Sequence, residues 1–201
     1  ASPSTSVNII EYVTIASAGD VNDFGDLTQT RNGVSGASNS TRGLFGGGYV
    51  GSTKYDIIDY ITIASTSNAT DFGDLTAVKG FPLGSSNGHG GLSTTSRIQD
   101  YNVSKNRAVA FGGEDNTPAY LNTVDYWNIS STGNAVDWGD LTRTTSGMSA
   151  VMCDNVRGCC GGTSPSVATI DMIIIESSGN ASDFGDLTVG RAAASGLANH
   201  V

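Results

Sequence analysis

A chain of 201 residues is long enough to bury one sizeable hydrophobic core, and 27 Gly, 25 Ser and 21 Thr against 14% charged residues mark it as turn-rich. That balance excludes a coiled coil or helical bundle, and no apolar stretch approaches the ~20 residues of a membrane-spanning helix. The formal net charge of −9, with Lys and Arg scattered singly, argues against nucleic acid and against insertion into or docking on an anionic membrane. The opening residues ASPSTSVN carry neither the basic start nor the apolar core of a signal peptide.

Read from the N-terminus, the chain repeats itself. An apolar run, NIIEYVTIAS (8–17), leads through a turn, SAGDVN (17–22), into DFGDLT at 23–28. Small residues follow in RNGVSGASN (31–39), then TRGLFGGG (41–48), and the cycle restarts with DIIDYITIAS (56–65), STSNAT (65–70) and DFGDLT at 71–76. The third cycle holds NRAVAFGG (106–113), NTVDYWNISS (122–131), STGNAV (131–136) and DWGDLT at 137–142. The fourth holds VRGCCGG (156–162), ATIDMIIIES (168–177), SSGNAS (177–182) and DFGDLT at 183–188. The aromatics Phe24, Phe72, Trp138 and Phe184 are 48, 66 and 46 residues apart. One period of ~47 residues therefore recurs, with an insertion at about 88–106 in the second interval.

Each cycle reads as four short strands: a small-residue strand, a strand ending in paired glycines, an apolar strand, and one carrying the aromatic. The AGD and SGN turns supply residues that tolerate positive φ and join the last two strands as a hairpin. In DIIDYITI, Ile57, Ile61 and Ile63 fall on one face and Ile58 and Tyr60 on the other, so this strand is expected to be covered on both sides. Helical periodicity is absent, and almost no helix is expected. The expected fold is all-β: a β-propeller, or an array of four-stranded antiparallel blades, in one domain over residues 1–201 or as part of a longer repeat array. Third and fourth strands stand at the N-terminus and a first strand near 192–200. Either the ring closes by joining these ends, one strand short, or it is completed by further chain or by a neighbouring molecule, and the second is the expectation.

This order of strands resembles the kelch repeat. Phe45-Gly46-Gly47, Phe111-Gly112-Gly113 and Cys160-Gly161-Gly162 stand at its di-glycine marks, the four aromatics at its tryptophan, and Arg31 and Arg191 at the basic residue that closes it. The pattern departs at the third-strand tyrosine, where Val13, Ile63 and Ile129-like positions stand, and in a longer hairpin before the aromatic. The reiterated DFGDLT, with its flanking runs, is similar to kelch-like repeat virion proteins of marine bacteriophages, especially cyanophages. The resemblance implies a tail-fibre or other exposed structural part of a virion. Its implied partners are other virion proteins, a host-surface glycan or protein, and copies of itself.

Candidate chemistry is sparse. Asp23, Asp71, Asp137 and Asp183 precede the aromatics, and Asp26, Asp74, Asp140 and Asp186 follow. Recurring in every cycle, they read as Asx turns capping the fourth strand rather than as acid–base pairs or calcium ligands. Arg42, Arg107 and Arg157 open the di-glycine strands and are expected to pair with these aspartates. Asp-Phe-Gly lacks the rest of a kinase, and His89 and His200 are too few for the known metal or triad propellers. No catalytic residue, metal or cofactor is assigned. A propeller enzyme acting on glycans ranks below binding and architectural roles. Cys153, Cys159 and Cys160 read as structural thiols, and the sequon residues Asn39, Asn68, Asn102, Asn128 and Asn180 as turn formers. The insertion, with His89, Arg97, Gln99, Tyr101 and Lys105 among glycines, is the expected recognition loop.

Overall fold

The computed structural model describes residues 6–87, 106–146, 150–154, 156–192, 194 and 196. All the secondary structure among them is strand, and no helix among them is long and apolar enough to cross a membrane. Sheet I is a hairpin of β1 (Ile9–Tyr12) and β2 (Asn22–Asp26). Sheet II orders β3 (Ser35–Ser38), β4 (Arg42–Gly46), β7 (Ile57–Thr62) and β8 (Thr70–Asp74). Between its second and third strands lies a small ribbon of β5 (Tyr49–Val50) and β6 (Thr53–Lys54). Sheet III runs β9 (Leu83–Ser86), β10 (Arg107–Phe111), β11 (Leu121–Asn128) and β12 (Val136–Thr145). Sheet IV runs β13 (Ala150–Cys153), β14 (Arg157–Gly161), β15 (Val167–Ile174) and β16 (Ser182–Arg191). Every sheet is an antiparallel meander in chain order, as the repeat predicts. The ribbon β5–β6 was not foreseen. The first strand expected near 192–200 falls largely outside the described residues.

Successive sheets stack face to face. Ile10, Phe24 and Leu27 of sheet I meet Ile61 of sheet II; Leu44, Ile58, Phe72 and Leu75 of sheet II meet Ala108, Ala110, Trp127 and Ile129 of sheet III. Val109, Phe111, Val124, Trp138 and Leu141 of sheet III meet Cys160, Ile173 and Ile175 of sheet IV. Strand β10 shows the period-2 logic: Ala108 and Ala110 turn towards sheet II, Val109 and Phe111 towards sheet IV, and all four are buried. Strand β7 is likewise covered on both faces as far as Ile61, while Ile63 is exposed.

The DFGDLT motif does something its composition did not reveal. Across β7–β8, Ile58 faces Gly73 and Asp59 faces Asp71, so Phe72 is the extra residue of a β-bulge. The same slip isolates Phe24, Trp138 and Phe184. The first Asp closes each bulge: Gly25, Gly73, Gly139 and Gly185 each donate N–H to the carboxylate two residues back, at 2.9–3.1 Å. The aspartates thus form Asx turns, but within the fourth strand rather than as a cap on it.

The bulge glycine is where the next sheet lands. Gly73, at φ +147°, lies so close to the following sheet that a Cβ there would stand 2.5 Å from the Gly133 carbonyl oxygen; Gly139 stands in the same relation to Gly179. Alanine at either site meets backbone that cannot yield, besides the unfavourable φ. Gly185 has φ +141° and no neighbour within 4 Å among the described residues. Gly73→Ala is therefore expected to cost at least about 2 kcal/mol more stability than Gly185→Ala, measured by chemical denaturation. Equal losses would show that turn docking does not hold the sheets.

Candidate functional site

The chain's most conspicuous charged groups lie at the sheet junctions. Asp59, Asp125 and Asp171, each in the third strand of its sheet, are almost wholly buried. Each is gripped by the preceding sheet. Thr28 gives Asp59 its amide at 3.1 Å and its hydroxyl at 2.6 Å, and Arg31 adds an ion pair at 2.9 Å. Thr76 does the same for Asp125 at 3.2 and 2.6 Å, with Lys79 at 3.0 Å. The Thr142 hydroxyl bonds Asp171, and Arg143 pairs with it at 3.1 Å. A second contact locks each junction. The asparagines of the hairpin turns, Asn68, Asn134 and Asn180, accept the amides of Asp26, Asp74 and Asp140 at 3.0–3.1 Å, while the next residue's N–H reaches the same aspartate's carbonyl at 2.7 Å. These aspartates hold sheets together.

Arg42 and Arg107 do not pair with the DFGD aspartates, contrary to expectation. Arg42 lies over the Tyr60 ring at 4.7 Å and donates to the Ile129 carbonyl of sheet III; Arg107 covers Tyr126 and Trp138 and donates to the Ile175 carbonyl of sheet IV. The aspartates are already committed to backbone, so the planar guanidinium stacks on the aromatic and spends its free donors on the next sheet's carbonyls. Arg157 pairs instead with Asp154 of its own hairpin at 2.9 Å, half exposed.

The five residues expected in the recognition loop, His89, Arg97, Gln99, Tyr101 and Lys105, lie outside the described residues. The loop's two roots are described. In sheet II the hairpin from first to second strand is closed by Asn39, whose carboxamide oxygen accepts the amides of Thr41 and Arg42 at 2.9 and 2.8 Å. In sheet IV Asp154 accepts from Val156 and Arg157. In sheet III Asn87 accepts from Arg107 at 2.9 Å, so 88–106 occupies the place of the two residues 40–41 without disturbing the cap. Asn87 is buried and gives its own N–H₂ to Glu176 at 2.6 Å, and Asn106 accepts from Asn39 at 2.7 Å. The insertion thus rises from a base tied to the sheets on both sides. Sequence reasoning missed Asn87, Glu176 and the capping role of Asn39; the recurring Asn or Asp before Arg-(Gly/Ala) was the available signal.

Beside this base the inner strands β3, β9 and β13 converge on an open cleft of about 620 Å³. Its walls include Gly36, Ser38, Gly84, Ser85, Ser86 and Cys153. A Cβ on Gly84 would stand 2.3 Å from the Gly36 carbonyl oxygen, which explains why the inner strands carry such small residues. Ser86 donates to the Ser38 carbonyl at 2.8 Å and Cys153 to the Ser86 carbonyl at 3.0 Å. The cleft offers hydroxyls and amides, chemistry suited to hydrogen-bonding a neutral polar ligand.

Cys153, Cys159 and Cys160 form no disulfide. Cys159 and Cys160 point to opposite faces of β14; burial pushes both thiols up, Cys160 to about 12.

Two measurements test these assignments. Lys79→Met leaves Asp125 buried without its cation and is expected to cost about 3–5 kcal/mol, whereas Arg157→Ala, at an exposed pair, should cost under about 1 kcal/mol. Cys160 keeps its proton in the folded chain at pH values where the unfolded chain loses it. Cys160 should therefore lower stability by about 1 kcal/mol per pH unit between pH ~9 and about 12, and Cys160→Ala should flatten that slope to the part Cys159 leaves. The chain matches no protein-family model and no curated protein.

Proposed function

We propose that this protein is a kelch-like β-propeller or blade array serving as an exposed structural and adhesive part of a phage virion, non-enzymatic, with its insertion directed to a host-surface glycan or protein. One observation carries the reading: a single sheet-to-sheet junction, a buried aspartate met by a threonine hydroxyl and a cation of the preceding sheet, recurs three times among the described residues. The carboxylates of Asp59, Asp125 and Asp171 are consumed by that junction and those of Asp23, Asp71, Asp137 and Asp183 by the bulges, so the recurring carboxylates read as architectural. Four-stranded meanders stacked face to face around small-residue inner strands are the construction of propeller blades. The insertion replaces a two-residue hairpin on a base pinned to both neighbouring sheets, the arrangement by which a rigid scaffold presents a recognition loop. The virion setting rests on the resemblance of the DFGDLT repeats, and the other expected partners, virion proteins and further copies of the chain, follow from it.

The architectural alternative, a connector without a ligand, draws on the exposed outer face of sheet IV. The two separate by experiment. Replacing 88–106 with the two-residue hairpin of sheet II should leave the melting transition within a few degrees, because the Asn87–Arg107 cap is retained. If the loop is the adhesive element, retention on cyanobacterial envelope material and signals on a glycan array fall at least about tenfold. Unchanged retention would remove the loop from the binding role, and no retention by the intact chain would favour the connector.

A further inference from the structure

The two outermost sheets carry the two halves of the junction that joins all the others. Sheet IV presents the donor half. Phe184 is 54% exposed where Phe24, Phe72 and Trp138 are 3–8% exposed. Thr188 and Arg191, which follow DFGD as Thr28 and Arg31 do, are exposed and reach no carboxylate among the described residues. Gly185 has open space where Gly73 and Gly139 receive a turn. Arg157 holds only Asp154, where Arg42 and Arg107 reach across to a carbonyl of the following sheet.

Sheet I presents the acceptor half. Glu11 occupies the register of Asp59, Asp125 and Asp171, is exposed, and has no basic partner among the described residues. Ile15 stands where Ile129 and Ile175 stand, 98% exposed against 0%, and where Ile63, beside the two-stranded sheet I, is 45% exposed. Val13 and Val21 are exposed at 51 and 57%. The turn Gly19-Asp20-Val21 stands in the place of Gly133-Asn134-Ala135, five residues before the aromatic.

We propose that sheet IV of one molecule docks on sheet I of a second copy, head to tail, rebuilding the internal junction between chains. Thr188 and Arg191 would take the Glu11 carboxylate, the turn at 19–21 would land on Gly185 and Asp186, and Arg157 would reach the Ile15 carbonyl. Phe184 and Ile15 would be buried together with their neighbours, removing exposed apolar surface from water. The contact is heterologous, so it propagates into rings or filaments rather than stopping at a symmetric dimer. The inference rests on the internal junctions and is independent of the virion reading.

The experiment is sedimentation of the full chain over a concentration series, with a charge swap. Wild type should rise above its 20.6 kDa monomer mass as concentration increases. Glu11→Arg and Arg191→Glu each place like charges at the contact and should weaken self-association at least about tenfold, while an equimolar mixture of the two restores an Arg–Glu pair and should recover it. Both sites are solvent-exposed, so unchanged circular dichroism and melting will show that the variants fold. Association indifferent to both swaps, or a mixture that fails to recover, overturns the proposal. So does a monomer at every concentration; hydrogen exchange at Gly185 and Asp186 then tells an open face from one closed within the same chain.

Discussion

A buried carboxylate on the third strand of each sheet is the constraint on which the rest of this structure depends. Taking Asp59, Asp125 or Asp171 out of water costs several kcal/mol unless the charge is fully met. The preceding sheet meets it with a threonine hydroxyl and a cation, and twice also with the threonine amide. None of these donors belongs to the aspartate's own sheet. A sheet folded alone would bury nothing and satisfy nothing. The ion pair is worth little net stability against a well-packed apolar replacement, but it makes any other docking register expensive. A slip of one residue in β7 would carry Asp59 to the opposite face and bring Ile58 into its place. Charge fixes the alignment, and Phe72, Leu75, Trp127 and their neighbours then supply the burial.

The cation is interchangeable where the threonine is not. Arginine serves at 31 and 143 and lysine at 79, and the Lys79 ammonium is completely buried with its pKa pulled down by burial and pushed back by Asp125. Lys79 also donates to the Thr123 hydroxyl at 2.8 Å, while Arg31 reaches the Phe45 carbonyl at 3.2 Å. The position of Arg143, directly after Thr142 rather than three residues later, shows that the cation need only reach the carboxylate. Threonine presents its hydroxyl at all three junctions, and Thr28 and Thr76 add their amides, which fixes its place in the motif.

Much of this fold was legible in the sequence because its devices are local. The period of about 47 residues, the strand order and the two-sided burial of the isoleucine strands follow from repetition and period-2 patterning. The bulge at Phe24 and its counterparts was not legible, since Asp-x-Gly closes an Asx turn at a strand end as readily as inside one. The junction itself was invisible for a different reason. Thr28 and Asp59 are 31 residues apart and Thr76 and Asp125 are 49 apart, and each looks unremarkable within its own cycle. Arg42, Arg107 and Arg157 were assigned to the DFGD aspartates because charges attract; the structure gives the first aspartate of each motif to a glycine amide, sends Arg42 and Arg107 to carbonyls of the next sheet, and leaves Arg157 on Asp154 of its own hairpin. For the site, the sequence located the insertion at about 88–106 by broken periodicity, yet offered no means of seeing that Asn87 and Asn106 anchor it to two different sheets.

That anchoring bears on where new function can enter a repeat protein of this kind. A change in β7, β11 or β15 must keep a carboxylate in register with a threonine of another sheet, and a change at the bulge glycines must leave room for a neighbour's backbone. The hairpin between first and second strands carries neither obligation. Its cap is made by one side chain, Asn39, Asn87 or Asp154, to an amide that is near in space whatever the intervening length. Loop closure over longer lengths costs little, and the Arg107 guanidinium keeps its hold on Ile175 and Glu176 with the insertion in place. The one long insertion is therefore in a hairpin that the junctions leave free, and its described roots, Asn87 and Asn106, lie at the ends of strands that line the cleft or pair with its walls. The constraints are separated within each cycle: the third and fourth strands are held to a shared interface, and the hairpin between the first two is free to vary.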